Sequence, residues 1–204
     1  TTTATTTATT TTTTTTVTGG SYQLTSRGDN ITGNAGADTI DGSLVNEGGV
    51  ANVQTLTGTD IIDGGDGTDT LEISDASDLT VTTVAGISNF ETLSAIGNDT
   101  DDYDADLISG ITKLVAATAA AGNDVTFKNV TAANSDVLIT GTEGVILTLK
   151  VDGAADSVDL EYRTALGAGL TVTGQTNVTQ YETVNITNGS LTGAINTGAV
   201  TNAS

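Results

Sequence analysis

The sequence predicts an all-β protein, a right-handed parallel β-roll or β-solenoid, and three observations carry this prediction. Two nine-residue stretches, 33–41 and 64–72, fit the pattern G-[GN]-x-G-x-D-x-U-x, in which U is a large aliphatic residue. Nine residues before the aspartate of each stretch lies the aspartate of an Asp-x-Ile unit. The repeated aspartates are therefore Asp29, Asp38, Asp60 and Asp69. Residues 73–204 alternate threonine with aliphatic residues in short runs without proline, which is typical of β-rich folds.

The chain divides into three regions: a tract at 1–20, the nine-residue repeats at 21–75, and a β-rich assembly region at 76–204. Residues 1–16 comprise fourteen threonines and two alanines. Such a polar tract has little to bury, so we expect a flexible linker. Without an initiator methionine or a signal peptide, we expect either a mature chain or a piece of a longer protein, and the threonine tract favours the second.

The residue types of the nine-residue repeat suggest a metal site at each turn. Glycines at its first, second and fourth positions permit positive φ and a tight turn with inward carbonyls. The aspartate adds a hard anionic oxygen, and the aliphatic residue two positions later begins a strand and points into the core. Calcium binds six to eight such oxygens, whereas zinc and copper sites use His and Cys, which are both absent. The alternative is a set of Gly-Asp hairpin turns.

We predict a Ca²⁺ ligand set of aspartates and turn glycines, with about one to three ions bound between stacked turns. Asp38 and Asp69 are the leading ligands, and Asp29 and Asp60 serve the opposite edge. Three further aspartates either complete these shells or face solvent. The full predicted set is Asp29, Gly33, Gly36, Asp38, Asp41, Asp60, Asp63, Gly64, Gly65, Asp66, Gly67 and Asp69.

The nine-residue phase is interrupted once and then ends. Residues 43–57 separate the two halves, which predicts an inserted surface loop. After Asp69 the phase reaches Asp78, which lacks the glycine frame. The predicted calcium array therefore ends near residue 75.

The second half predicts further strands at 79–82, 137–140, 145–151 and 170–173. The alanine-rich stretch 114–121 is the one helix candidate, and we predict a strand and a turn there instead.

An aromatic-Glu-Thr-aliphatic motif occurs twice, at 90–93 and 181–184. Glu-Thr is either a catalytic carboxylate with a hydroxyl or, as we favour, an acid that satisfies turn amides before a buried strand.

The densest acidic run is 98–106. It differs from an EF-hand loop, because Asp104 stands where that loop requires glycine and Gly110 where it requires glutamate. The run is either a solvated acidic loop or a calcium site of another kind, for example at a subunit contact.

Composition narrows the function classes. The chain has 25 acidic and 5 basic residues and a net charge of −20, which argues against nucleic acid or anionic lipid as partners. No window approaches twenty apolar residues, so no membrane span is predicted. Without histidine or cysteine there is no usual general base or thiol nucleophile. We expect no enzymatic activity.

The glycine-aspartate repeats resemble those of RTX (repeats-in-toxin) calcium-binding proteins, which bacteria export by type I secretion. Residues 64–71 and then 87–93 are similar to the GGDGTD-L turn and G-[FVI]-E-T-[LMV] strand of RTX-bearing surface-layer proteins of Gram-negative bacteria. Residues 152–160 and then 181–186 are similar to a second such unit with a single glycine, and we do not expect it to bind calcium as a roll turn does.

This resemblance covers about residues 27–190. It implies a secreted structural protein of the cell surface that folds with Ca²⁺ and assembles with copies of itself into a layer or fibre, with cell-surface polysaccharide as a further partner. The alternative is the stalk or binding module of a large RTX adhesin that contacts a cell, a glycan or ice. The Thr-x-Thr runs at 80–82 and 171–173 are not evenly spaced, as a flat ice-binding face requires.

Overall fold

The computed structural model describes residues 18–75, 79–96, 102–117, 124–141, 145–163, 170–172, 176–187, 189–191, 195–196 and 202–203. These residues form short β-strands and one 3₁₀ turn, Ala132–Asn134. The strands are β1 (Ser21–Gln23), β2 (Asn30–Thr32), β3 (Thr39–Asp41), β4 (Val45–Glu47), β5 (Val50–Val53), β6 (Ile61–Asp63), β7 (Thr70–Ile73), β8 (Ile87–Ser88), β9 (Thr92–Ala95), β10 (Asp102–Asp104), β11 (Lys113–Ala116), β12 (Val125–Val130), β13 (Asp136–Ile139), β14 (Val145–Leu149), β15 (Ser157–Tyr162), β16 (Leu170–Val172), β17 (Thr176–Asn177), β18 (Thr183–Thr187), β19 (Gly189–Leu191), β20 (Ile195–Asn196) and β21 (Asn202–Ala203). In this part of the chain no helix is long and apolar enough to cross a membrane.

The strands stack into parallel sheets that run the length of a solenoid. The largest sheet has nine strands in the order β1-β3-β7-β9-β11-β13-β15-β18-β21. A second face consists of the three-stranded sheet β2-β6-β8 and the five-stranded sheet β10-β12-β14-β17-β20. Neighbouring strands within these sheets are parallel. The fold prediction of an all-β parallel solenoid is confirmed.

The first coils follow the nine-residue repeat. Strands β1, β2 and β3 begin nine residues apart, as do β6 and β7. Tyr22 therefore pairs with Ile40 eighteen positions later, which makes one coil of two repeats. After β7 the coil length changes, and Leu71 pairs with Leu93, twenty-two positions later. The nine-residue phase ends after β7, as predicted, and Asp78 lies outside the described residues.

The interruption at 43–57 is an antiparallel hairpin of β4 and β5. Gly48 and Gly49 turn it with φ of 60° and 84°, a region that glycine enters at little cost. Val50 is 62% exposed. The coil that contains this hairpin is correspondingly longer, and Ile40 pairs with Leu71 thirty-one positions later. The pairing of β3 with β7 is retained despite the insertion. The predicted surface insertion is confirmed.

The core fills the space between the two sheet faces. Alternation along each strand turns the aliphatic residue of the repeat inward, so Ile40, Ile62 and Leu71 are fully buried and Ile31 packs against the core edge. In the later coils aromatic side chains fill the interior. Tyr103 and Phe127 are both buried, with ring centroids 5.8 Å apart.

One prediction of secondary structure is wrong. Residues 79–82 form no strand, because 81–86 are turns and Val81 is 75% exposed. Thr80 and Thr83 instead bond each other's backbone amides at 3.1 and 2.9 Å, a local alternative that threonine offers to a sheet ladder. By contrast, the strand predicted at the start of 114–121 is confirmed as β11, as far as the described residues reach.

Candidate metal centre

The turns 33–38 and 64–69 stack so closely that side chains are excluded at their first position. A Cβ on Gly33 would lie 1.9 Å from the Gly64 carbonyl oxygen, and one on Gly64 would lie 2.0 Å from the Asn89 carbonyl oxygen. The repeat predicts positive φ at its first, second and fourth positions, but within these two turns it occurs only at Gly65 and Gly67. The first glycine of each repeat is therefore explained by coil stacking rather than by backbone conformation.

Three carboxylates line the edge of the solenoid just before the nine-stranded sheet. Asp38, Asp69 and Glu91 each precede a threonine, and these threonines pair in register as Thr39, Thr70 and Thr92. We call Asp38, Asp69 and Glu91 the carboxylate row. Glu91 is absent from the predicted ligand set, although its Phe-Glu-Thr motif was visible in the sequence.

Each member of the carboxylate row accepts a backbone N–H from the equivalent position of the preceding coil. Gly20 N–H donates to Asp38 Oδ1. Asp38 N–H donates to Asp69 Oδ1 at 2.7 Å, and Asp69 N–H donates to Glu91 Oε2 at 2.8 Å. The row thus places negative charges at successive coils and links them through backbone amides.

Asp38 and Asp69 differ in how completely their buried oxygens are bonded. Asp38 also accepts from Asn34 N–H at 2.6 Å and from Asn34 Nδ2 at 3.0 Å. The second oxygen of Asp69, Oδ2, has no hydrogen-bond partner, although the residue is 0% exposed. Leaving a buried polar atom unsatisfied is costly, and more so for a charged group.

The electrostatic environment of Asp69 opposes its charge. Burial raises the pKa of its carboxyl; the Asp38 amide partly offsets this, and the like charges of Asp38, Glu91 and Asp63 add to it. A bound cation would give the orphaned Asp69 oxygen a partner and would offset the repulsion between the carboxylates.

The opposite edge of the roll is shorter and fully bonded. Asp60 is 2% exposed and accepts Asp29 N–H at 2.8 Å and Thr57 N–H at 2.7 Å. Asp29 accepts Thr25 N–H at 2.8 Å. The Asp60 amide turns back to the Thr57 carbonyl at 3.2 Å rather than to a carboxylate in the next coil.

The three remaining predicted aspartates separate into two kinds. Asp63 accepts Gly65 N–H at 3.0 Å and Asn89 Nδ2 at 2.7 Å. Asp41 accepts Ser43 N–H at 2.9 Å and lies in register beside Glu72, whose pKa is raised by burial and by the Asp41 charge. Asp66 is exposed. Asp41 and Asp63 therefore serve turns, and Asp66 faces solvent.

The predicted ligand residues supply only part of the oxygen ligands that a hard cation requires. No group of three or more Asp or Glu side chains arranged to hold a metal ion occurs in the described ranges. A site between two stacked turns would instead take a carboxylate from each turn and further oxygens from backbone carbonyls. The orphaned Asp69 oxygen beside the glycine turn suits such a site.

The second aromatic-Glu-Thr motif shows what the acid does in both copies. Glu182 accepts Asp156 N–H at 2.7 Å, just as Glu91 accepts Asp69 N–H. Phe90 and Tyr181 are buried before the strands β9 and β18. The interpretation of the acid as a turn-satisfying group is confirmed in both places.

The acidic run 98–106 is described from Asp102 onward, and Asp99 and Asp101 lie outside the described residues. Asp102–Asp104 is strand β10 rather than a loop. Asp104 accepts Asn129 Nδ2 at 2.8 Å, and Asp106 pairs with Lys150. Its second half is therefore engaged within the chain.

Comparison of the chain with protein-family models, with curated proteins and with solved structures gives no match.

Proposed function

We propose that this chain is a calcium-stabilised structural β-solenoid of the bacterial cell surface that assembles with copies of itself. The single observation that supports calcium binding is the buried Asp69 carboxylate. One of its oxygens has no hydrogen-bond partner, and the carboxylate stands between two other members of an acidic row. A buried anion in this setting is stabilised by a bound cation.

The donor chemistry favours Ca²⁺ over other metals. The chain contains no histidine and no cysteine, so its ligands are carboxylate and carbonyl oxygens. Calcium accepts six to eight oxygens in flexible geometry, whereas magnesium requires a near-ideal octahedron and keeps its waters. Because binding relieves repulsion present only in the folded coils, its free energy contributes to folding.

Self-assembly is the less direct part of the proposal. A net charge of −20 opposes association of copies, and bound cations reduce that charge. Strand β1 ends the described nine-stranded sheet, and a terminal strand offers backbone groups to a neighbouring chain. Calcium would thus both stabilise the coils of each chain and reduce the repulsion between neighbouring copies.

The decisive experiment combines circular dichroism with light scattering and electron microscopy of the full chain. We expect β content to rise when calcium replaces chelator, and sheets or fibres to form at millimolar calcium. Magnesium at the same concentration is the matched control and should do neither.

Equal β content in chelator and in calcium would refute calcium-dependent folding. Calcium-dependent folding that yields only monodisperse particles would instead favour the adhesin stalk.

A further inference from the structure

Glu91 continues a row that the nine-residue repeats begin. Thr92 pairs with Thr70 and Thr70 with Thr39, so Glu91 occupies the position that Asp69 and Asp38 hold in the preceding coils. It accepts the Asp69 amide in the same way that Asp69 accepts the Asp38 amide. Its carboxylate also lies close enough to Asp69 to oppose ionisation there.

Resting on the proposed calcium binding, we propose that Glu91 is a calcium ligand that closes the array next to Asp69, outside the glycine-aspartate repeats. A second, independent observation points to an ion at this place: Asp69 Oδ2 is completely buried and has no hydrogen-bond partner. The ion between these coils takes carboxylate oxygens from Asp69 and Glu91.

The opposite edge shows why the array is longer on one side. There the amide of Asp60 bonds to the Thr57 carbonyl, and Asp60 accepts hydrogen bonds on both oxygens. That edge leaves no orphaned carboxylate oxygen among Asp29 and Asp60. The carboxylate row extends over one more coil than the opposite edge, and Glu91 is its additional member. The one unsatisfied oxygen belongs to the neighbouring member, Asp69.

Glu182 is a matched control inside the same chain. It accepts the Asp156 amide at 2.7 Å, as Glu91 accepts that of Asp69 at 2.8 Å. However, Asp156 lies at a turn with a single glycine, and its Oδ2 accepts Gly153 N–H at 2.5 Å. The two glutamates therefore make the same contact with a backbone amide. They differ in the neighbouring aspartate, because Asp156 Oδ2 accepts a hydrogen bond and Asp69 Oδ2 accepts none.

The test measures calcium binding by the full chain with isothermal titration calorimetry, and folding by circular dichroism against calcium concentration. Glutamine retains an acceptor for the amide but carries no charge. We expect Glu91→Gln to lose one bound ion or at least tenfold in affinity at one site. Its circular dichroism midpoint should move to higher calcium, and β content at saturating calcium should match the parent. Glu182→Gln should leave stoichiometry and midpoint unchanged.

A further variant separates ligation from a merely structural role. Glu91→Asp supplies the carboxylate that the row uses at Asp38 and Asp69, so it should retain the ion that Glu91→Gln loses. If Glu91→Asp is as weak as Glu91→Gln, or if Glu91→Gln binds like Glu182→Gln, the inference is overturned.

Asp69→Asn tells the two claims apart. If Asp69→Asn loses calcium while Glu91→Gln does not, the assignment of Glu91 fails and calcium binding stands. If the parent chain binds no calcium at all, both are overturned.

Discussion

A single methyl group at Gly86 tests whether close stacking of the coils determines the stability of this solenoid. A Cβ built on Gly86 lies 2.1 Å from the Asp60 carbonyl oxygen, where real Cβ atoms essentially never approach within 3.0 Å. The Gly86 carbonyl also accepts Ile62 N–H at 2.9 Å. The three nearest atoms are all backbone of residues 60 and 61, so no side chain can rotate away.

The cost of Gly86→Ala follows from these distances. The two coils must separate by about 0.9 Å to relieve the contact, which would stretch the Ile62–Gly86 hydrogen bond beyond bonding range. Losing that bond costs about 1 kcal/mol, and overpacking adds about 1–3 kcal/mol. We therefore expect a loss of about 2–4 kcal/mol, which for a chain of this size lowers the melting temperature by roughly 5–15 °C.

Thermal melts followed by circular dichroism in excess calcium measure this effect. Gly153→Ala is the control, because its Cβ would lie 3.1 Å from a side-chain oxygen, Asp156 Oδ2, which can move. We expect that variant to lose less than about 1 kcal/mol. If the two variants melt at the same temperature, coil stacking does not explain the glycines.

Three further predictions address the carboxylates and the insertion. Asp69→Ala should lower the melting temperature in calcium more than Asp75→Ala or Asp102→Ala, because of these three residues only Asp69 is a buried member of the carboxylate row. Equal losses in parallel melts would contradict the assignment. In chelator, stability should rise as pH falls from 7 toward 4, because burial raises the pKa of Asp69 and of Glu72 above their ordinary values and the folded chain therefore binds protons more tightly than the unfolded chain. Melting temperatures that fall steadily over this pH range would contradict this prediction. Replacing 46–52 of the exposed hairpin by a two-residue turn should change the free energy of unfolding by less than about 1 kcal/mol, since surface insertions are tolerated. Denaturant titration measures this change, and loss of the cooperative unfolding transition would show that the hairpin stabilises the coils.

The early coils could be predicted because the repeat length determines them. A nine-residue period places one aliphatic residue inward per strand, and Ile40, Ile62 and Leu71 lie where that period puts them. The strand wrongly predicted at 79–82 has the same threonine-aliphatic alternation as the strands that were predicted correctly in the second half. Periodicity alone does not reveal that Thr80 and Thr83 bond to each other's amides and turn the chain.

The position of Glu91 could not be read from the sequence for a different reason. Its coil is twenty-two residues long, against eighteen in the first coil, and no repeat length indicates which residue will stand beside Asp69. Only the register of β7 with β9 shows that an acid from the Phe-Glu-Thr motif continues the aspartate row. The motif and its structural role could be predicted from the sequence, whereas only the strand register shows that Glu91 lies beside Asp69.

The later coils show that the solenoid itself does not require carboxylates at this edge. Continuing the same register, Thr92 pairs with Lys113 and Lys113 with Asp136, so the position of Glu91 passes to Thr112 and Ser135. These neutral residues precede strands as well buried as those of the roll, with Leu114 and Val137 both 0% exposed. Three successive carboxylates in the first coils therefore add repulsion that the fold can avoid. Their presence at successive coils is explained if the row serves a cation, and the orphaned oxygen of Asp69 indicates where that cation would bind.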